Sequence, residues 1–330
     1  MEIKPISLEE WAGFIENRPE SSVFESPKYF KPFDLDENRL FLAGGFADNK
    51  LKLVFVGSLQ RKFRLNLCLS LPTFSFGKAP LINSNQEAIN FNEVVEQMDS
   101  FLKKSKIVEV IGYTDNENVA KELSNKDFRI EENTVAFIDL NKEMDTLFAA
   151  LKSPNRRAIK KATKSGVEAR KEESEGILPE IFDLLRDNAE TRGYSIFDQK
   201  NFIKRISSYM REGMCDLWTA RKNEEILSCL ITYHDKADVY AVFGASIKSA
   251  QQLRPNNLLH WKALDYYKNH GYKKYYMGFI KSYEPFGKEI TGYGEFKLKF
   301  RPELVPHYRY MKIYKKKTHL LSRVLDKVKK

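Results

Sequence analysis

Apolar positions along the chain recur with two periods, one helical and one alternating. Trp11, Phe14 and Ile15 predict a short helix over 8–17. Alternating runs over 39–46 and 51–60, parted by the turn residues Asp48 and Asn49, predict a strand pair, and a third strand over 63–69 ends before Pro72. Helical spacing returns over 86–104, with Ile89, Val94, Val95, Met98, Phe101 and Leu102 on one face. An apolar strand over 107–112, a small helix over 119–124 and a strand over 134–140 close this half.

The second half repeats that order after a helix over 143–151 and a break at Ser153, Pro154 and Asn155. A basic helix leads to a strand near Val167, helices over 177–192 and 201–212, and three strands over 215–221, 226–234 and 238–246. The stretches 223–225 and 234–238 read as the hairpin turns between them. Pro255 and Gly271 bracket a helix over 256–271, followed by a strand over 273–278. A meander, a helix and a strand, occurring twice, predict an α/β protein with mixed sheets (α+β) and two copies of one fold, at 1–140 and 141–314. A tail over 315–330 carries Leu321, Val324, Leu325 and Val328 as an apolar stripe beneath lysines. That stripe suits a helix lying on an anionic membrane or one docked on its own domain.

Composition fits two packed domains: 330 residues, 42% hydrophobic and 13% aromatic, exclude a disordered chain. No apolar run approaches the length of a membrane span, and the N-terminus resembles no signal peptide, so a cytosolic protein is expected. Cys68, Cys215 and Cys229 sit apart in apolar stretches as small core residues, and the five histidines have no metal-ligand spacing, so no metal is expected.

Charge is concentrated. The net charge is +10, yet residues 152–171 alone carry eight basic residues against Glu168, and 311–330 carry eight against Asp326. A slightly acidic body with two basic patches attracts phosphate, nucleic acid or anionic lipid. Within the first patch Arg156, Lys160 and Lys164 follow at helical spacing, with Arg157 and Lys161 beside them and Ala158, Ile159 and Ala162 inward.

Four stretches in this order resemble the FemABX-like branch of the GNAT acyltransferases, which includes the BioF2-like acetyltransferase domains. They are the basic helix 153–167, the strand, loop, helix and strand over 239–278, the GEFKLKF stretch 294–300, and VFESPKYFK at 23–31. The last strand has Tyr276, Met277, Gly278 and Phe279 where many members have Asp-x-Gly-Gly, and Thr114, Asp115 and Asn116 lack the family's proline. The coiled-coil arm of the glycyl-adding members is absent. The resemblance implies two tandem GNAT-like domains packed around a central cleft. It further implies a monomeric transferase moving an aminoacyl group from aminoacyl-tRNA, or an acyl group from acyl-CoA, to an amine of a nucleotide- or lipid-linked peptidoglycan or surface-glycan precursor. An N-acetyltransferase acting on an amino sugar, and a non-catalytic module binding nucleic acid or anionic membrane, are the alternatives.

Such a transfer uses an already activated donor, so the missing Ser-His or Cys-His spacing fits it and no tightly bound cofactor is needed. By the resemblance, Lys297 contacts the oxyanion or the donor phosphate; the alternation over 295–300 predicts a strand with Lys297 and Lys299 on one face. Gly244, Ala245 and Ser246 end a strand where the superfamily's main-chain N–H groups meet an anionic donor, and Arg254 and Asn256 open the following helix. Asp115, by its place after the first domain's last strand, is the favoured carboxylate for proton removal or amine orientation, and by itself reads as a turn aspartate. Glu284 and Glu289 are the runners-up for the base. Lys28, Lys31 and Arg192, with Arg156 and Lys160 of the basic helix, are the candidates for gripping acceptor phosphates. Trp261, Tyr266 and Tyr267 read as core.

Overall fold

A computed structural model describes residues 1–18, 21–33, 40–62, 65–70, 81–82, 90–191, 198–281 and 292–320. The chain divides into two compact units, Met1–Thr134 with Val305–Lys330, and Val135–Leu304.

The first unit opens with strand β1 (Glu2–Pro5), helix α1 (Leu8–Glu16), whose Ser7 and Glu10 form a reciprocal cap, and the short helix α2 (Pro27–Phe30). Strands β2 (Leu40–Ala47), β3 (Lys50–Lys62) and β4 (Leu65–Ser70) form an antiparallel meander, with β1 on the outer side of β2 and the two-residue β5 (Leu81–Ile82) against β3. Asp48 and Asn49 both adopt positive φ, 51° and 58°, as a two-residue hairpin turn between right-twisted strands requires. Helix α3 (Phe91–Lys104) then carries the chain to β6 (Glu109–Thr114), parallel to β4. Helix α4 (Glu117–Asn125) and strand β7 (Arg129–Asp139) follow. Val94, Val95, Met98 and Leu102 of α3 and Val119 and Leu123 of α4 bury against Leu53, Phe55 and Val110 of the sheet.

The second unit takes the 135–139 part of β7 and adds α5 (Met144–Ala150), α6 (Ser153–Lys164), β8 (Glu168–Glu172), α7 (Leu178–Thr191) and α8 (Gln199–Arg211). Its meander is β9 (Cys215–Lys222), β10 (Glu225–Asp235) and β11 (Asp238–Ser246), with β8 antiparallel to β9. Helix α9 (Pro255–Asn269) returns the chain to β12 (Lys274–Phe279), which runs parallel to β11 and antiparallel to β7, and α10 (Gly292–Leu298) follows. The repeated meander, helix and parallel strand is therefore present in both units.

Helix α9 is buried on almost every side. Leu258, Leu259, Ala263, Leu264 and Tyr267 join the core, with Trp261 and Tyr266 packed against it, as expected of these aromatics. Both ends of the helix are tied. At its C-terminal end Tyr267 donates to Asp216 Oδ2 at 2.7 Å, and Lys171 lies 3.0 Å from the other oxygen of that carboxylate. At its start Asn257 donates to Asn155 Oδ1 at 2.6 Å, joining α9 to the first turn of α6. Pro154, read from the sequence as part of a break, sits within that first turn, where a missing N–H costs nothing.

The last strand, β13 (Glu303–Ile313), pairs antiparallel with β6 of the first unit, which differs from a second domain running over 141–314. Its side chains explain why. Tyr310 lies directly over Gly112, Lys312 Nζ binds Asp99 at 2.8 Å and the Lys126 carbonyl at 2.7 Å, and the Tyr314 hydroxyl donates to Asp99 at 2.7 Å. Cys215 and Cys229 are buried, as expected; the side chain of Cys68 and the tail stripe 321–328 lie outside the described residues. Among the described residues no helix is long and apolar enough to cross a membrane.

A Cβ on Gly112 would fall 2.3 Å from Cζ of Tyr310. Gly112→Val should therefore overpack this face and cost about 1–3 kcal/mol, read as a lowered melting temperature. An unchanged melting temperature would mean that Tyr310 does not rest on this glycine.

Candidate active site

Strands β11 and β12 run together over only three positions, Asp238–Tyr240 against Lys274–Tyr276. Beyond them β11 stays with β10 as far as Ser246, while β12 stays with β7 as far as Phe279, so the two strands part. A register shift accompanies the parting on each side, between Ile231 and Thr232 and between Tyr276 and Gly278. Gly278 has φ +87°, a value a side chain would disfavour. Strands that part leave main-chain groups without ladder partners, and these need other donors.

Lys297 supplies one. Its Nζ donates to the Phe279 carbonyl at 2.5 Å and lies 4.3 Å from the centre of the Tyr293 ring. The residue is on α10, a helix where a strand was expected. The spacing of Phe296 and Phe300, with ring centres 5.3 Å apart, is four residues, and so is that of Tyr293 and Lys297; these helical pairs overlie the alternation that reads as a strand. Lys297 is 4% exposed, and burial lowers its ammonium to about 7. Beneath it His260, packed against Phe296 and Phe300, binds the Tyr275 hydroxyl through Nδ1 at 2.9 Å. Burial, and secondarily the Lys297 charge, lowers the imidazole to about 3, so it is neutral at physiological pH.

A cavity of about 280 Å³ lies on the other side of Tyr293, whose ring covers this amine. Gly244, Ala245 and Ser246 from the end of β11, Arg254 and Asn256 from the start of α9, and Tyr293 line it, so all five residues expected to meet the donor share one wall. Arg254 turns left-handed (φ 61°, ψ 39°) into Pro255, and the positive end of the fifteen-residue α9 dipole opens on this space. Asn256 is held by Ser228 of β10, whose hydroxyl donates to its Oδ1. Burial pushes the Cys229 thiol up to about 12, so it is no nucleophile.

A second cavity of about 340 Å³ lies on the α6 side of Arg254, lined also by Arg157, Lys161 and Lys299. The basic helix therefore presents Arg157 and Lys161 to a cavity, in place of the expected Arg156 and Lys160. Arg156 donates to the carbonyls of Leu151 and, at 2.8 Å, of Ala149, closing the end of α5, and Lys160 lies over Phe148 at 5.9 Å. Asp115 is exposed in the turn between β6 and α4; Lys28 and Lys31 are exposed at α2, and all three belong to the first unit and line neither cavity. Arg192, Glu284 and Glu289 lie outside the described residues. Sequence reasoning missed Tyr293, His260 and the Asn155–Asn257 bond; the last was within reach, because buried amides at two helix starts need partners.

Residues 152–288 match the family model of the acetyltransferase (GNAT) domain. The second unit carries a GNAT acyltransferase domain. Among solved structures the chain is similar to a crystal structure of FemX, with TM-score 0.72 and 14% identity over 97% of this chain and 99% of that one. It is also similar to L-PGS from Bacillus licheniformis (TM-score 0.58, 13% identity, 93% and 92% covered). A tandem GNAT protein from the clavulanic acid biosynthesis pathway gives TM-score 0.57 at 9% identity over 95% and 98%. At these identities the likeness is one of fold, and it extends the GNAT architecture over nearly the whole chain. No curated protein gives a significant match.

Lys297 carries a consequence for stability. Its ordinary value is 10.5 and its folded value about 7, so between those pH values the unfolded chain binds the proton that the folded chain has released. Stability gains from this group as pH rises through that window, and it contributes no slope below about 7. Lys297→Met should flatten the pH dependence of denaturant unfolding between about pH 7 and 9 relative to the parent. Parallel slopes in the two proteins would contradict the buried amine.

Proposed function

We propose that this GNAT domain transfers an aminoacyl group from aminoacyl-tRNA to an amine of a nucleotide- or lipid-linked peptidoglycan or surface-glycan precursor. The observation that carries this reading is the buried Lys297 amine under Tyr293, whose ring also lines a cavity that presents the Arg254 guanidinium and the main chain of a strand end and a helix start, with no carboxylate among the described lining residues. The extent of the likeness to FemX, and the second likeness to L-PGS, favour aminoacyl transfer over other acyl transfers.

In this reading the donor's phosphate rests at the start of α9 against Arg254, and its ester carbonyl reaches toward Lys297. The acceptor's neutral amine attacks that carbonyl and the carbonyl oxygen gains negative charge; as the carbonyl re-forms the ester C–O bond breaks, and the departing ribose oxygen takes up the proton the amine gives up, leaving an amide and a free tRNA hydroxyl. Lys297 in its ammonium form holds the developing oxyanion. An arriving anion raises the affinity of this amine for a proton, so donor binding charges the group that the reaction needs. The empty site keeps it near half-protonated at neutral pH. Asp115 remains the proposed carboxylate for orienting the amine, and Lys28, Lys31 and Arg192 the proposed contacts to acceptor phosphates. The enzyme works in the cytosol as a monomer without a tightly held cofactor, and its basic tail touches the inner face of the membrane.

The second reading keeps the chemistry and changes the donor to an acyl-CoA thioester, with an amino sugar as acceptor. A cavity between a strand end and a helix start favours it, as does the likeness in fold to the tandem GNAT protein of the clavulanic acid biosynthesis pathway. A bare polyanion-binding module has no use for a buried amine of lowered proton affinity.

Purified protein given a charged tRNA pool and a nucleotide-linked peptidoglycan precursor should increase the precursor's mass by one amino-acid residue. Lys297→Met should slow that step by about 10²–10³-fold, the usual effect of removing one oxyanion donor. Modification from acyl-CoA in place of tRNA would select the second reading, and an undiminished rate in Lys297→Met would remove the lysine from the site.

A further inference from the structure

Two groups of basic residues in the second unit differ in what surrounds them. Arg156, Lys160, Arg170, Lys171 and Arg221 each meet a carbonyl, a ring or a carboxylate. Arg157, Lys161, Arg254 and Lys299 do not: among the described residues none has an ion-pair partner or a side-chain hydrogen bond, yet all four line the second cavity. They come from three separate elements, α6, the start of α9 and the residue following α10. Like charges gathered around one concave space repel each other unless an anion enters it.

The elements are fixed in this arrangement. Asn155 at the start of α6 accepts from Asn257 of α9 at 2.6 Å and donates to the Lys299 carbonyl at 3.4 Å, and Lys152 N–H donates to the same carbonyl at 3.0 Å. The polar atoms that bind the three elements together are thereby used up by one another, while the four cations are left facing the cavity. Arg254, Asn257 and Phe296 belong to both cavities, so the two spaces meet at Arg254.

We infer that the second cavity is a distinct phosphate subsite, so that the donor carries phosphate groups on both sides of Arg254. This rests on the reading of the first cavity as the donor site and deepens it. The ligand chemistry is a phosphate ester with at least two separated phosphates. A single-stranded RNA end and the ribose phosphate of coenzyme A are the two sources of that chemistry.

The test uses the intact chain, two probes and a matched control. Lys161 and Lys164 both lie exposed in the last turn of α6, but only Lys161 lines the cavity, so Lys161→Glu and Lys164→Glu change the field equally and the subsite unequally. Affinities are measured for an RNA hairpin with a single-stranded 3′ end, and for coenzyme A beside 3′-dephospho-coenzyme A, over a range of salt. Lys161→Glu should weaken the recognised probe about tenfold or more, the worth of one charge-assisted bond to phosphate, while Lys164→Glu changes it little. For RNA, the salt slope should also fall by about 0.7 in Lys161→Glu. For coenzyme A, the preference over its dephospho form should disappear in that variant. Equal losses in the two variants would overturn the subsite while leaving the donor cavity standing. Binding of neither probe by the parent protein would overturn the donor reading and the subsite with it.

Discussion

Everything chemical in the second unit depends on β11 and β12 separating after three paired residues. A parallel pair that continued would satisfy its own carbonyls and leave a closed sheet. Separation leaves the Phe279 carbonyl needing a donor, and the donor is an amine brought in by α10. Because Phe296, Phe300 and His260 close around α10, that amine sits where water does not compensate its charge. One topological feature thus produces both the cavity at the start of α9 and the perturbed amine held behind Tyr293.

The opening is useful only if its walls hold still, and α9 provides that. Its start is bound to α6 through Asn155, and the following Asn256 is bound to β10 through Ser228. Its end is fixed by Tyr267 on Asp216. A helix restrained at both ends keeps its N-terminal dipole aimed at one place, so the donor phosphate proposed above would meet N–H groups already oriented and lose little to reorganisation.

Much of the fold was legible because it is local. Periodicity located the helices and meanders, and the repeated order revealed the pair of similar units. What escaped was decided by distance in the chain. Nothing within 303–313 indicates that the strand belongs beside β6; Tyr310 over Gly112 and Lys312 on Asp99 join residues about two hundred positions apart. The lining of the first cavity was legible where a motif sits on one element, as with Gly244, Ala245 and Ser246 at a strand end and Arg254 and Asn256 at a helix start. The site was misread where two periods overlap. In 293–300 alternation and four-residue spacing coexist, and burial of Phe296 and Phe300 on one face favoured the helix. In α6, adjacent arginines offer two faces; Arg156 is taken by the carbonyls of α5, which leaves Arg157 for the cavity.

Lys297 is a buried amine whose proton is only loosely held in the free protein. Nuclear magnetic resonance of the protein with ¹³C-labelled lysine side chains, assigned by comparison with Lys297→Met, follows that proton directly. One lysine signal should titrate near 7 in the free protein and move upward when donor binds. A Lys297 signal that titrates near its ordinary value of 10.5 would contradict it.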